Sequence, residues 1–497
     1  MQGKQVLKES LFVYNLSIET FVPENHILRK INQIVDLSFV RELTQDKYCS
    51  NNGRTSIDPE LFFRLMIIKY IYGIESERRL CEDAHSHMGY RWFCRLSMQD
   101  SVPHHSSLTK IRDRLGEDTI EQFFDCIVKQ CCQHGLVKGK RIITDGTLIK
   151  ANASINSLEA INMIERHQEK VREKSDRNEP NQKRIQRKLS NKTHQSRTDP
   201  ESTLAYKNGC SNGLKYKGHF SIDAEYGIIL DPFISTGADH ESKHYLSRLE
   251  TIQHKHDITI EETVADRGYG TGTIISTLFE RNIRPLIPLF HHSSGSAMPA
   301  GFTYDSSTDT IECPTGNKLV ATGKKDRYQR QRYKIKDTSC LSCTTLSQCG
   351  ANYLKQKNKP RYVQLSDFQP YYDTINNHMN TPYFKAAIRE RFYKIEGLFS
   401  EAKRLHGFQR AQFRGRKKMQ IQAFFTASVL NIKKLVKFVS HNPSIFDPIT
   451  LIYFIFQRLR HYLAPFRPIF IHSSLFFSFY NHFFFFEDFF NRMDPFC

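Results

Sequence analysis

Asp145 closes the apolar run Arg141-Ile142-Ile143-Thr144, and Asp266 sits between Thr263-Val264-Ala265 and the glycine-bounded turn Arg267-Gly268-Tyr269-Gly270. Two acids at strand ends can share one rim of a sheet. A third carboxylate, Glu396, lies in Arg391-Phe392-Tyr393-Lys394-Ile395-Glu396-Gly397-Leu398-Phe399. Helical geometry puts Arg389, Glu396 and Lys403 each within about 20° of the next on one face. A carboxylate between two cations there is either a surface salt-bridge ladder or a metal ligand beside phosphate-binding groups, and spacing alone favours the ladder. Cysteines offer a separate chemistry. Cys313-Pro314-Thr315-Gly316 forms a knuckle-like turn, Cys340-Leu341-Ser342-Cys343 a CxxC pair, and Cys349 follows. Together these thiolates could hold a tetrahedral structural Zn²⁺; the alternative is that all of them are unpaired thiols. A tetrathiolate site leaves no open position for catalysis.

Other polar groups have plainer readings. Asp223, beside Ala224-Glu225-Tyr226-Gly227, reads as a hairpin residue rather than a further ligand, as does the neighbouring His219 strand. His240 and His244 have the i, i+4 spacing of zinc ligands but no third ligand nearby, so helix capping or a solvated face is the better account. Cys131 and Cys132 read as packing residues.

The elements that must position these groups change character along the chain. Residues 1–116 read as helices: Pro59 follows the capping residue Asp58, a second helix fits Glu75 to Ala84, and Pro103-His104-His105-Ser106-Ser107-Leu108 starts a third. The basic face after Leu108 either enters a DNA groove or is a solvated surface. From Gly139 short apolar runs alternate with turns, giving strands at Arg141–Gly146, His219–Asp223, Gly227–Pro232, Ile258–Asp266 and Ile283–Pro288. Helices at Ser242–His254 and Gly272–Asn282 between them indicate an α/β layer. Residues 165–197 carry 11 basic and 5 acidic side chains and read as a linker or exposed arm. The stretch from 291 to 384 is polar and short of core residues, which a structural metal would offset. Residues 441–497 hold 15 of the 37 phenylalanines and read as a peripheral tail.

A net charge of +19, from 71 Lys and Arg against 52 Asp and Glu, implies an extended polyanionic partner. With 39% hydrophobic residues a chain disordered throughout is excluded. The first thirty residues have no secretory pattern and no stretch has the length of a membrane span, so a cytoplasmic protein without membrane association is expected. Residues 1–116 contribute only +2, whereas 165–197 contribute +6 and 391–418 contribute +7. Bulk charge therefore concentrates near the segments that carry the first and third acids.

Several ordered words resemble a known family. Asp145-Gly146-Thr147 with Lys150-Ala151-Asn152-Ala153-Ser154, Ala265-Asp266-Arg267-Gly268-Tyr269-Gly270, and Lys394-Ile395-Glu396-Gly397-Leu398-Phe399 with Lys403, His406-Gly407 and Arg414-Gly415 are similar to the three catalytic blocks of bacterial insertion-sequence DDE transposases. Val22-Pro23-Glu24-Asn25-His26, Asn52-Gly53-Arg54-Thr55 and Ser76-Glu77-Arg78-Arg79-Leu80 resemble the amino-terminal domain of the same elements. The likeness spans roughly residues 10–440. One departure is that the tyrosine and arginine usual at seven and four residues before the glutamate are here Arg389 and Phe392, with Arg391 the nearest arginine.

The resemblance implies an α/β RNase H-like catalytic core with a helical amino-terminal domain and a Cys-containing insertion. Its parts would be a DNA-end recognition domain at 1–116, the core at 117–290 and 385–440, the insertion at 291–384 and the tail at 441–497. It implies that Asp145, Asp266 and Glu396 bind two Mg²⁺ or Mn²⁺ ions, with Asp145 bridging, and that Lys403 contacts DNA phosphate; the basic segment 391–418 adds Arg391, Arg414, Lys417 and Lys418 as expected DNA contacts. The implied reaction is nicking at the element's ends and transfer of the 3′-hydroxyls into target DNA, without a covalent protein–DNA intermediate. The partners would be double-stranded DNA and a second copy of the chain. A stand-alone metal-dependent nuclease and an inactive DNA-binding remnant are the alternatives.

Overall fold

The computed structural model describes residues 18–49, 56–161, 189–206, 213–289, 298–326, 329–335, 339–345, 349, 351 and 361–442. The chain divides into two compact units, 1–437 and 438–497, and every described strand belongs to the first. Most of the charged arm (162–188) and the phenylalanine-rich tail from 443 lie outside the described residues.

The amino-terminal region is helical for local reasons. Asp58 accepts the Glu60 N–H at 2.9 Å and Pro59 takes the first position of the helix Pro59–Ile71. Ser76 caps Glu77–Ser86 by accepting from Arg79 at 3.1 Å. The helix that starts after His104 runs on to Gln133, with a kink at Gly116, whose φ of 73° no other residue type adopts cheaply. Its Ile111, Arg112 and Leu115 side chains are buried, and Arg112 pairs with Glu77 while its guanidinium lies 4.1 Å from the Phe413 ring centre. Arg112 therefore packs against protein, whereas Lys110 and Arg114 of the same segment are exposed. Phe63 stacks on Phe123 at 4.4 Å, and Tyr70 stacks at 5.4 Å on Phe425 of the last described helix, Arg416–His441. The first helices and the last thus share one aromatic core.

Strands then follow as β1 (Arg141–Lys150), β2 (Leu158–Ala160), β3 (His194–Ser196), β4 (Thr203–Ala205), β5 (Gly213–Asp223), β6 (Ile229–Thr236), β7 (Glu262–Val264) and β8 (Arg284–Leu286). Strand β1 pairs antiparallel with β5 and parallel with β7, and β7 pairs parallel with β8. Along its other edge β5 pairs with β4 at its start and with β6 further on. The parallel pairs need crossovers, supplied by the helices Tyr245–His256 and Gly272–Glu280. Strand β7 is shorter than Ile258–Asp266 because the preceding helix ends at Asp257 in the left-handed conformation and the chain rejoins the sheet only where Glu261 and Glu262 donate to the Lys140 carbonyl. Strand β6 would be an open edge, but Gln420 and Asn431 of the last helix bond to its Ile234 and Ile229 N–H groups, both at 2.8 Å. The end of the charged arm forms β3, which among the described residues pairs with β2 alone.

A second sheet is built from β9 (Thr303–Asp305), β10 (Thr310–Glu312), β11 (Lys318–Thr322), β12 (Arg330–Lys334) and β13 (Tyr362–Ser366), all antiparallel and in sequential order. It has a small core that includes Phe302, Ile311, Leu319, Tyr333 and Val363, more than the polar composition of this stretch suggests. The helices Gln369–Met379 and Pro382–Leu405 follow, and the second lays Phe384, Ala387, Ile395, Leu398, Phe399 and Ala402 inward, with Phe399 5.2 Å from Phe220 of β5. Among the described residues no helix is long and apolar enough to cross a membrane.

Candidate metal centre

Register explains how the two aspartates meet. Ile143 of β1 is paired with Val264 of the parallel strand β7, so Asp145 and Asp266, each two residues further on, reach the same level of the sheet. Residues two apart on a strand face the same way, so both carboxylates project to one side. Glu241 joins them from the turn after β6, at the start of the single helical turn Glu241–Lys243. The ligand oxygens of Asp145, Glu241 and Asp266 all lie within 4.8 Å of one another, the only such group among the described residues.

Each acid is held by its own contacts. Asp145 accepts from the Gly146 N–H and from Arg391 Nη1, both at 2.7 Å. Asp266 accepts from the Gly268 N–H at 2.7 Å, and Lys217 lies 3.5 Å from Glu241. Burial pushes the Asp145 carboxyl up to about 6; Asp266 and Glu241 push the same way, while Arg391 and the Gly146 N–H oppose them. The Tyr269 hydroxyl is buried beside the same acids with no hydrogen-bond partner, and desolvation with their charge drives its pKa well upward. Crowded hard oxygen donors, three acids against the two cations Arg391 and Lys217, suit a divalent cation of the Mg²⁺ or Mn²⁺ type.

The glycines of the two aspartate motifs leave room for this crowding. A Cβ at Gly268 would stand 2.9 Å from Asp266 Oδ1 and 3.2 Å from Glu241 Oε2, and one at Gly146 would stand 3.2 Å from the Glu241 carboxylate.

Glu396, expected as the third ligand, is not one of the three acids whose oxygens group here. It is exposed, and five residues beyond Arg391 it is turned about 140° round the helix from the arginine that reaches Asp145. The apolar stripe through Ile395, Leu398, Phe399 and Ala402 decides which side of the helix is buried, and Arg389 and Glu396 fall outside it. The acid that joins the aspartates, Glu241, was hidden between His240 and His244. The available signal was its position just after a strand that pairs with the neighbour of β1. His240 caps the turn by accepting from the Ser242 N–H. Asp223 is a buried hairpin residue that accepts from the Lys138, Gly139 and Glu225 N–H groups.

The basic residues separate into two settings. Arg391, expected as a DNA contact, is engaged by Asp145, with both side chains 13% exposed. Arg414, Lys417 and Lys418 are exposed, Arg414 bonds the Asn152 carbonyl at 3.3 Å and Lys418 lies 3.2 Å from Asp113. Lys403 is half-buried. The segment leading to this strip is tied to the end of β1, since Lys150 N donates to Gln409 and Ala411 N donates to Lys150. At about 3.3 Å per residue the end of β1 is about 17 Å from Asp145.

The four cysteines Cys313, Cys340, Cys343 and Cys349 line one cavity in the second sheet's unit and are free thiols.

Residues 16–114 match the family described as "Transposase domain (DUF772)", and residues 312–436 match the family described as "Transposase DDE domain". The stretch with Asp145, Glu241 and Asp266 lies between the two matches. No curated protein matches the chain. Among solved structures the chain is similar to a piggyBac transposase synaptic complex with hairpin DNA, at 12% identity and a TM-score of 0.34, covering 84% of this chain and 75% of that one. It is also similar to a pre-cleavage Mos1 transpososome, at 8% identity and a TM-score of 0.16, covering 51% of this chain and 67% of that one.

Proposed function

For a chain that carries a transposase domain and a transposase DDE domain, we propose that Asp145, Glu241 and Asp266 form the centre that cleaves DNA at the ends of a mobile element and joins the freed 3′-hydroxyls to target DNA. The observation that carries this reading is the convergence of their oxygens within 4.8 Å on the central strand, its parallel neighbour and the turn after β6. The sheet, with β5 and β6 antiparallel and β7 and β8 parallel about β1, supports an RNase H-like core. When bound, Mg²⁺ or Mn²⁺ would activate the attacking oxygen and stabilise the leaving oxygen of a phosphodiester.

The chain's own groups then have distinct work. Asp145, Glu241 and Asp266 hold the ions, and Arg391 favours the ionised form of Asp145 while fixing its orientation. The Gly146 and Gly268 positions keep the carboxylates free to converge. Arg414, Lys417 and Lys418, with Lys403 nearby in sequence, neutralise phosphates of a duplex that runs from the end of β1 towards the acids. Joining two element ends calls for two such centres, so the working species is a homodimer on double-stranded DNA.

A Mg²⁺ cleavage assay on duplex DNA carrying an element end tests this with the full-length chain. Asp145→Asn, Glu241→Gln and Asp266→Asn should each cut by about 10²- to 10³-fold more slowly, while binding the same DNA in a gel-shift assay. Glu396→Gln run in parallel measures what the exposed glutamate adds. Full activity of Asp266→Asn would sink the assignment, and cleavage without any strand-transfer product would make the chain a nuclease.

A further inference from the structure

The region around the second sheet buries few apolar side chains. Between Met298 and Ser366 the buried apolar cluster consists of Phe302, Ile311, Leu319, Tyr333, Ile335, Cys340, Ala351 and Val363, with Cys313 and Cys349 packed against its edge. A core of this size is small for an antiparallel sheet, and domains with so little to bury are commonly held by disulfides or a structural metal. The unit's cysteines are all free thiols, so disulfides do not do it.

Those thiols are not scattered. Cys313, Cys340, Cys343 and Cys349 line a single cavity of about 270 Å³, although they come from different segments. Cys313 opens the turn after β10, where Gly316 has φ 80° and its N–H bonds the Cys313 carbonyl at 2.9 Å. Cys340 and Cys343 are on or next to the short helical turn Ser339–Ser342. Cys349 is anchored through its carbonyl, which accepts from Arg361 Nη1 at 2.7 Å. A tight glycine turn, a CxxC pair and a fixed fourth thiol are what a tetrahedral thiophilic ion requires, whereas a packing role would require only apolar neighbours. The sulfurs line the cavity without closing to within 4.8 Å as a set, so binding would draw them together by changes of side-chain rotamer.

We infer that Cys313, Cys340, Cys343 and Cys349 bind a structural Zn²⁺ that pins the turn after β10 to the segment before β13. Four thiolates complete a tetrahedral shell, so this ion takes no part in DNA chemistry and is independent of the acids around Asp145. Each thiol gives up its proton to solvent on binding, and no oxidation or reduction occurs.

The test uses the full-length chain purified without chelators. Elemental analysis should give about one zinc per chain, released as about four thiols react with a mercurial. Replacement by Co²⁺ should give the intense near-ultraviolet absorption of thiolate-to-cobalt charge transfer. Cys343→Ser and Cys349→Ser should lose most of the zinc, while Cys132→Ser, outside the cavity, keeps it. A wild-type chain that is folded by circular dichroism yet zinc-free, or whose Co²⁺ form lacks the thiolate band, would overturn the inference. So would full zinc content in Cys343→Ser.

Discussion

Arg391 Nη1 lies 2.7 Å from Asp145 Oδ2, pairing the central acid of the sheet with a helix 246 residues further along the chain. That guanidinium is the nearest cation to three crowded carboxylates, and it opposes the rise that burial imposes on Asp145. It both orders the centre and competes with any cation that occupies it. Removing it should therefore raise cation affinity and loosen the geometry. Arg391→Ala is expected to bind Mn²⁺ about 3- to 10-fold more tightly by calorimetry, as expected for loss of one partly screened charge at close range. Unchanged or weaker binding would mean that Arg391 supports the ion rather than competing with it.

Gly268 gives a cleaner separation of chemistry from stability. A methyl group there would press on the far ends of Asp266 and Glu241, which can move without disturbing the backbone. Gly268→Ala should lose about 10- to 100-fold in cleavage rate through misplaced carboxylates, with an unchanged melting temperature. A large drop in melting temperature would instead make the glycine a folding requirement.

The exposed basic strip should dominate the salt response. Changing Arg414, Lys417 and Lys418 to Gln is expected to weaken DNA binding and to flatten the plot of log affinity against log salt, by about 0.9 for each phosphate no longer neutralised. An unchanged slope, measured by fluorescence anisotropy, would place the duplex elsewhere.

Lys69 is a buried cation at the junction of the amino-terminal helices and the loop before the last helix. It is 1% exposed, and its ammonium lies 5.1 Å from the Phe413 ring centre. Burial, helped by Arg112 and opposed by Glu77, pushes its pKa down to about 8 from 10.5. Between these values the unfolded chain binds more protons than the folded one, so this group's contribution to stability rises with pH there, and its full penalty is present below about 8. Lys69→Met should therefore stabilise the protein at neutral pH by about 1–3 kcal/mol in urea unfolding, with the gain shrinking above pH 8 and gone above pH 10.5. Destabilisation at neutral pH would show that the cation–π contacts outweigh desolvation.

Parts of the fold and site were legible in the chain because their causes are local. Asp58-Pro59 and Ser76 mark helix starts by capping, and the apolar runs around Asp145 and before Asp266 mark strands whose register brings the two acids level. Glu241 was not legible, because it is brought to the site by strand pairing far from the other acids, and its flanking histidines look like caps. Seven-residue spacing aligned Arg389, Glu396 and Lys403 on one stripe but could not say which way that stripe faces. The buried residues Ile395, Leu398 and Phe399 answer that, and they place Glu396 on the exposed side. The helix from His105 continues past residue 116 because Gly116 is accommodated as a kink between two packed segments.

Glu241 is the acid proposed to complete the centre begun by Asp145 and Asp266. Single-turnover Mg²⁺ cleavage of an end-containing duplex by Glu241→Gln, with DNA binding measured on the same preparation, tests it most directly. A loss of about 10²- to 10³-fold in cleavage at retained affinity for DNA is expected. A Glu241→Gln protein that cleaves at the wild-type rate would contradict it.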